Sequence, residues 1–471
     1  MADNSLEKRL SRRKFLQLAA GTTVTALFAA ACAPVPAAPA SAPQQEGAAE
    51  ATEMPKEEAA ADAPAQETVA LRFTTVGWGG WLSEPWMAMI EKFNESQTGA
   101  QVAYEDIAEG YEKVLAQAAG NVGADVYVFE NKQMFSFAAR GFFLPLDEMI
   151  AGSEVIKKEA YFEEDWNETF FKGNQYLAPF DNSPAMIWYN KDIFDEAGVA
   201  YPPESFDDPN WTWADFLETS QKLTTGEGAN KIFGWAGERD WRYLLNWIWS
   251  NGGWLLNEEK TECVIDMPET VEALEWAAAL VREHQVQPSV DQIIQGGNSA
   301  MFFGRRAAMA QKGTWWAIDL KAQEGLNWNV APQPMGEAGT FVRNPLDAFG
   351  IWQGSPQPEP SWGLIEFLSQ PDILGIIVRA GLSVSHKDTM NTVFLEQEPQ
   401  DVNWDLFLQA LDGHVRRHPD TAIYPEMHNL LQPGWDAVLD GASSVQEFVA
   451  SVKGPINDLL ADCIEKGNCA A

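Results

Sequence analysis

The chain is poor in cysteine, in histidine and in positive charge, and each shortage removes a class of function. Of 471 residues only four are cysteine and five histidine, with no CxxC pair and no HExxH. A zinc site therefore lacks its usual ligand pattern, and no metal or other cofactor is expected. Lys and Arg number 32 against 68 Asp and Glu, a formal net charge of −36. Such a balance repels phosphate backbones and anionic head groups, which excludes nucleic acid as a partner. Its simplest role is to keep an exported protein soluble. After Phe28 no apolar stretch approaches the roughly 20 residues that a spanning helix needs. No GxSxG marks a serine nucleophile, and no repeat of fixed period is present. Gly77-x-Gly79 is followed by Leu82 where a dinucleotide fingerprint requires a third glycine. The glycines more simply let Trp78 and Trp81 sit on a tight turn.

What is present begins at the N-terminus. Ser11-Arg12-Arg13-Lys14-Phe15-Leu16-Gln17 precedes a short apolar run, Leu18 to Phe28, and then Ala29-Ala30-Ala31-Cys32. Paired arginines before such a run read as a twin-arginine export address. The small residues before Cys32 resemble the lipobox of bacterial lipoproteins, although Ala29 stands where that motif usually has Leu. Residues 1–31 are the expected signal peptide, and Cys32 the expected lipidated N-terminus. Residues 32–68, rich in Ala, Pro and Glu, are an expected disordered linker. Removing the leader, with five cations against two acids, brings the net charge near −39. Expected localisation is the outer face of the cytoplasmic membrane or the periplasm. Cys463 and Cys469 could close a small disulfide loop there, leaving Cys263 as a buried apolar filler.

From Val69 the pattern alternates. Strands are expected at Val69–Val76, Gln101–Ile107 and Ala124–Phe129. Between them lie helices, one capped by Ser83 with a stripe of Trp86, Met89, Ile90 and Phe93, the other from Tyr111 to Ala119. This order implies an α/β fold with a parallel sheet, which binds ligands beyond the carboxyl ends of its strands. Capping boxes at Thr212–Asp215 and Ser444–Glu447 open further helices, and Pro455 is expected to kink or break the second.

Three segments carry a resemblance. Gly173 to Phe194 holds two apolar strands around the proline-bounded bend Asp181-Asn182-Ser183-Pro184, then Tyr189-Asn190-Lys191-Asp192-Ile193-Phe194. Gly304-Arg305-Arg306-Ala307-Ala308-Met309 precedes Gly313-Thr314-Trp315, and Ala348-Phe349-Gly350-Ile351 precedes a helix at Trp362–Leu368. In order and spacing these resemble the family 1 extracellular solute-binding proteins of ABC importers, which include maltose-binding proteins. The resemblance implies a two-lobed periplasmic-binding-protein clamp of type II-like topology. Each lobe would be a mostly parallel sheet flanked by helices, with two or three crossing strands between lobes. Lobe 1 is expected over 69–180 plus about 348–415, and lobe 2 over 181–347 plus about 416–471. The crossings are expected at Pro179–Pro184, Arg343–Phe349 and somewhere within Leu411–Tyr424.

A sugar offers hydroxyl edges and apolar C–H faces, so a sugar site needs aromatic plates with carboxylates, amides or guanidinium groups around them. Twenty Trp supply the plates. The resemblance points first to Trp315, with Trp316 beside it. Trp78 and Trp81 follow from the loop after the first strand, and Glu130 and Asn131 from the end of the third. Asp181 and Asn182 stand in the first bend, also readable as a turn-forming pair. Glu238, Arg239 and Trp241 follow another apolar strand, and Arg343 and Asn344 open the second crossing. The expected function is a non-catalytic, monomeric receptor passing a carbohydrate to ABC importer permease subunits. The alternatives are the same clamp with a polyamine or phosphorylated polyol, and a secreted glycoside hydrolase.

Overall fold

The computed structural model describes residues 68–469 except Trp78, Gly79, Trp81, Ala108, Glu109 and Asp420, with the backbone alone at Asn131. The expected leader, Cys32 and the linker up to residue 67 lie outside the described residues.

The chain opens with strand β1 (Val69–Val76), helix α1 (Ser83–Ser96), strand β2 (Ala100–Ile107), helix α2 (Tyr111–Ala119) and strand β3 (Val126–Glu130). Helix α3 (Asn131–Ala139) follows β3 directly, and short helix α4 (Glu163–Asn167) leads to strands β4 (Ala178–Asn182) and β5 (Met186–Asn190). Next come α5 (Trp213–Leu223), β6 (Phe233–Ala236), α6 (Leu244–Ser250) and α7 (Pro268–Arg282). Strand β7 (Ala307–Lys312), helix α8 (Trp316–Lys321) and strands β8 (Trp328–Ala331), β9 (Val342–Arg343) and β10 (Leu346–Ile351) follow. The last part adds α9 (Pro358–Leu368), α10 (Pro371–Ala380), α11 (Asp405–Leu411), β11 (Val415–Arg416), α12 (Tyr424–Leu439) and α13 (Val445–Glu465).

Two sheets result, in the orders β2-β1-β3-β10-β4 and β8-β5-β7-β6, and a separate strip pairs β9 with β11. Only part of each sheet is parallel, against expectation. β1 runs parallel to β2 and β3, but β10 runs antiparallel to both β3 and β4. In the second sheet β5 is antiparallel to β7 and β8, and β6 with β7 is parallel. The cause is connectivity: β10 enters the first sheet from the edge where β3 and β4 end, so it must run the other way.

Central strands are covered on both faces, so β3 is buried from Val126 to Phe129 and β5 along its whole length, whereas edge strand β2 alternates. In β5 the side chains alternate between two cores: Met186 and Trp188 join one cluster, Ile187 and Tyr189 the other. Trp404 and Phe407, at the start of α11, pack against Trp188 of the second sheet, with ring centroids 6.5 and 5.7 Å away. The α1 stripe is buried as its spacing requires, with Trp86 between Phe73 and Phe180 at 5.1 and 4.9 Å. One local expectation fails, and of the kink or break expected at Pro455 the break does not occur. Ser83 is the first helical residue rather than the cap, and Leu82 precedes it without a side-chain hydrogen bond. Helix α13 continues through Pro455 to Glu465. Ten residues of capped helix before the proline, and buried Ile456 and Leu460 after it, hold the segment together where one backbone hydrogen bond is missing. Both capping boxes form, Cys463 and Cys469 are joined in a disulfide, and Cys263 is buried.

Because Trp86 fills the joint between α1 and the first sheet, Trp86→Ala is expected to lower unfolding stability by about 3–5 kcal/mol. Denaturant titration should show an earlier midpoint with an unchanged slope.

Candidate ligand-binding site

Three chain crossings join the sheets. The first is the turn from Asn182 of β4 to Met186 of β5. The second runs through β9 into β10, and the third through β11 towards α12. Arg417, just after β11, ties them together. Its guanidinium forms a buried ion pair with Asp165 of α4 and a second with Glu168 at 3.2 Å. It also donates to the Asn344 carbonyl at 2.5 Å. Asn182 Nδ2 donates to the other Asp165 oxygen at 2.7 Å, and the Ser183 amide donates to Asn344 Oδ1 at 2.8 Å. A chain of hydroxyls, Ser183 to Thr314 at 2.6 Å and Thr314 to Ser383 at 2.7 Å, adds the turn before α8. Asn182 and Asn344 are thus bolts of the crossing region and do not face the cavity beside it.

That cavity encloses about 420 Å³ and lies between the two sheets. On the first sheet's side it meets one rung of three acids. Glu130 on β3 pairs with Asp347 on β10, and Asp347 pairs with Asp181 on β4. Partners directly opposite in a sheet present their side chains to the same face. The other side supplies Arg242 and Tyr243 from the turn after β6, Trp315 from the turn before α8, and Asp319 one helical turn beyond it. Arg343 of β9 closes the deep end, donating from Nε to His418 at 2.6 Å and lying 5.2 Å over the Tyr243 ring.

The acids of the rung differ in charge state. Burial alone would raise the Glu130 carboxyl, but Lys132, Arg242 at 2.9 Å and Arg343 at 3.4 Å hold it down at about 2. Neither Asp181 nor Asp347 has an ion-pair partner among the described residues. Burial first pushes both well above the usual carboxylate range, helped at Asp181 by Asp347 and Glu130 and at Asp347 by Glu130. At Asp347, Lys132, a hydrogen bond with Asp181 and Arg343 partly offset it. Asp240 is pinned low, despite burial, by Arg242. Burial, then Arg343, keeps the His418 imidazole well below its ordinary value and therefore neutral.

Of the expected site residues, Glu130, Asp181, Trp315 and Arg343 line the cavity. Trp78 and Trp81 lie outside the described residues, and Asn131 is described only as the first residue of α3. Four others point elsewhere. Trp316 is buried against Trp188 and Phe302 at 5.9 and 4.9 Å, because the turn into α8 sends adjacent side chains in different directions. Trp241 donates to His428 at 2.8 Å and packs beside Tyr424. Arg239 reaches Asp436 and Asp440 on α12, and Glu238 pairs with Lys312 at 2.8 Å. Sequence reasoning passed over Arg242, Tyr243, Asp319 and Asp347. Asp319 stood four residues after Trp315 on a helix, the spacing that puts both on one face.

Two sheets, three crossings and a cavity between them define the two-lobed clamp of the periplasmic binding proteins. Over residues 79–373 the chain matches the bacterial extracellular solute-binding protein family, and it belongs to that family. A putative binding protein of Brucella abortus (strain 2308) is 24% identical over 364 residues, 76% of this chain and 82% of that one. The chain is also similar to an ABC substrate-binding protein of Listeria monocytogenes solved with cycloalternan. Identity there is 21% and TM-score 0.76, over 84% of this chain and all of that one. A solute-binding protein of an ABC transporter from Thermotoga lettingae bound to α-D-tagatose has 23% identity and TM-score 0.74, over 83% and 100%.

The crossing region yields a stability test. Asp165→Ala leaves a buried guanidinium without its main counter-charge and should cost about 3–5 kcal/mol. Adding Arg417→Met should recover part of that loss in thermal unfolding; a double variant no more stable than Asp165→Ala would refute the pairing.

Proposed function

We propose that this protein is the receptor of an ABC importer, capturing a carbohydrate between its lobes and delivering it to the permease by hinge closure. One observation supports this most: Trp315 lies across a cavity from a rung of carboxylates, an apolar plate opposite hydroxyl acceptors. A pyranose or furanose has that same division between face and edge. Arg242 and Arg343 add fixed donors. The sugar ligands of the structurally similar proteins from Listeria monocytogenes and Thermotoga lettingae agree with this cargo.

Closure would use lobes formed by 69–180 with about 348–415 and by 181–347 with about 416–471. The crossings between them carry the rotation while their buried bonds stay intact. Capture and release need no bond-making chemistry, so we assign no catalytic residue. The protein would act as a monomer, tethered outside the cytoplasmic membrane through a lipid on Cys32, with residues 33–67 as a spacer that leaves both lobes free.

Thermal-shift screening and calorimetry with mono- and oligosaccharides test the cargo, and absence of stabilisation by any sugar would sink it. For a sugar that binds, Trp315→Ala should weaken affinity about tenfold or more, since stacking contributes about 0.5–1.5 kcal/mol beyond area. Release of shorter products on prolonged incubation would instead indicate a hydrolase. The tether has its own check: Cys32→Ser should move the protein from the membrane to the soluble fraction of cells.

A further inference from the structure

The rung of acids contains an arrangement that folding alone disfavours. Asp181 and Asp347 face each other directly across β4 and β10, and like charges in that position destabilise a sheet. Asp181 Oδ1 accepts from the Asp347 amide at 2.8 Å, so the two carboxyls are held together rather than splayed apart. Asp181 is 3% exposed. Asp347 Oδ1 is buried with no hydrogen-bond partner among the described residues.

No cation forms an ion pair with either carboxyl among the described residues, although Lys132 and Arg343 act on Asp347 from farther off. Lys132, Arg242 and Arg343 all meet Glu130, Arg242 also grips Asp240, and Lys312 is taken by Glu238. No ion pair reaches Asp181, Asp347 or Asp319 among the described residues. All three border the 420 Å³ cavity, with Trp315 above them. His418, being neutral, contributes no charge. Ionised, these acids give the cavity surplus negative charge on the side where a ligand's polar edge would lie. A neutral hydroxyl cannot balance it; a cation can.

We infer that the ligand carries a protonated amino group on an otherwise hydroxylated body, and that Asp181 and Asp347 hold that ammonium while Trp315 covers the adjoining carbon face. This rests on the carbohydrate-receptor reading and narrows it to amino-bearing sugars or polyols. Trp315 adds cation–π attraction to its apolar contact. Asp319 adds longer-range attraction from the second sheet.

The pair's own proton makes the inference measurable. Groups facing it are Glu130 and Lys132 at the end of β3, Arg343 on β9 and Tyr111 on α2, with Arg242 and Asp319 across the cavity. Burial and the nearby Glu130 favour a proton held by the ligand-free pair at neutral pH, with Asp347 pushed up to about 8. An arriving ammonium displaces it. Affinity for an amine that stays protonated should therefore rise as pH passes through about 8, where Asp347 loses its proton, and fall towards pH 6.

The experiment uses matched probes: glucosamine against glucose, galactosamine against galactose, and glucamine against glucitol. Calorimetry in buffers of different ionisation enthalpy reads proton release directly. The expected result is at least tenfold tighter binding of one or more amino members. Release should approach one proton near pH 7, and glucamine affinity, if measurable, should climb between pH 6 and 8. Asp181→Asn and Asp347→Asn should each abolish the amine preference, while the ligand-free variants unfold at or above the wild-type temperature because a repulsion has been removed. Equal or tighter binding of neutral members without proton release would overturn the inference and leave the receptor reading standing. Ligand-free variants that unfold earlier than wild type would make the pair structural, which also overturns it. Stabilisation by calcium alone, reversed by a chelator, would assign the pair to a metal ion instead. Binding of no probe and of no oligosaccharide would remove the carbohydrate reading, and the inference with it.

Discussion

The architecture depends on one buried ion pair, Arg417 with Asp165. Asp165 is fully buried and Arg417 nearly so, an arrangement whose desolvation cost is recovered only when every remaining polar atom finds a partner. Here the partners come from all three crossings: Asn182 from the first, Asn344 from the second and Arg417 itself from the third. A clamp needs its crossings to bend together, since three independently flexible strands would let the lobes slide as well as rotate. Linking them through side chains leaves their backbone dihedrals free to change while keeping the crossings in register. The β9–β11 strip reinforces this with main-chain bonds, the Val342 amide to the His414 carbonyl and the Asn344 amide to the Arg416 carbonyl.

From that fixed base, geometry sorts the charges. Glu130, Asp347 and Asp181 share one rung of the first sheet, yet their chemistry diverges over three adjacent strands. Glu130, at the β3 end of the rung, meets cations from three directions: Lys132 from its own helix, Arg242 from the second sheet and Arg343 from a crossing. Asp181, two strands away on β4, meets none. A carboxyl thus becomes a structural counter-ion at one position and stays without an ion pair at the other. Glu130 also joins the sheets through Arg242, where the two side chains keep 20% and 17% of their surface exposed. At that burial both side chains are largely shielded from solvent, and Arg242 helps to hold the Glu130 carboxyl at about 2.

Much of the fold was legible because its signals are local. Helical spacing placed Trp86, Met89, Ile90 and Phe93 inward, and reciprocal caps fixed the starts of α5 and α13. Alternation of strands and helices anticipated the parallel part of the first sheet. What was lost is non-local. The antiparallel entry of β10 follows from where the chain re-enters a sheet, which no window around Leu346 records. Pro455 has a local meaning that burial beyond it overrides. The site shows the same division. Trp315 and Asp181 were visible because each sits beside glycine or proline punctuation. Trp316, one residue on, looked equivalent in sequence and was turned into the core by the start of α8. Arg239 and Trp241 carry suitable chemistry but are claimed by α12, which lies almost 200 residues away in the chain. Asp347 looked like one more acid among 68 until register set it between Glu130 and Asp181.

These two levels combine in the proposed closing motion. On that reading, what decides the state of the clamp is bound between the lobes. Trp315, Tyr243 and Asp319 approach from the second sheet while Asp181 and Asp347 wait on the first, so a ligand reaching both sides gains contacts that neither lobe offers alone. The carboxylate pair sharpens that dependence. Ligand-free, a proton keeps the two acids together; a cargo of the right charge would take the place of that proton. On the proposed reading, an acid pair beside crossings linked by the Arg417 ion pairs would make closure selective for a ligand that neutralises it.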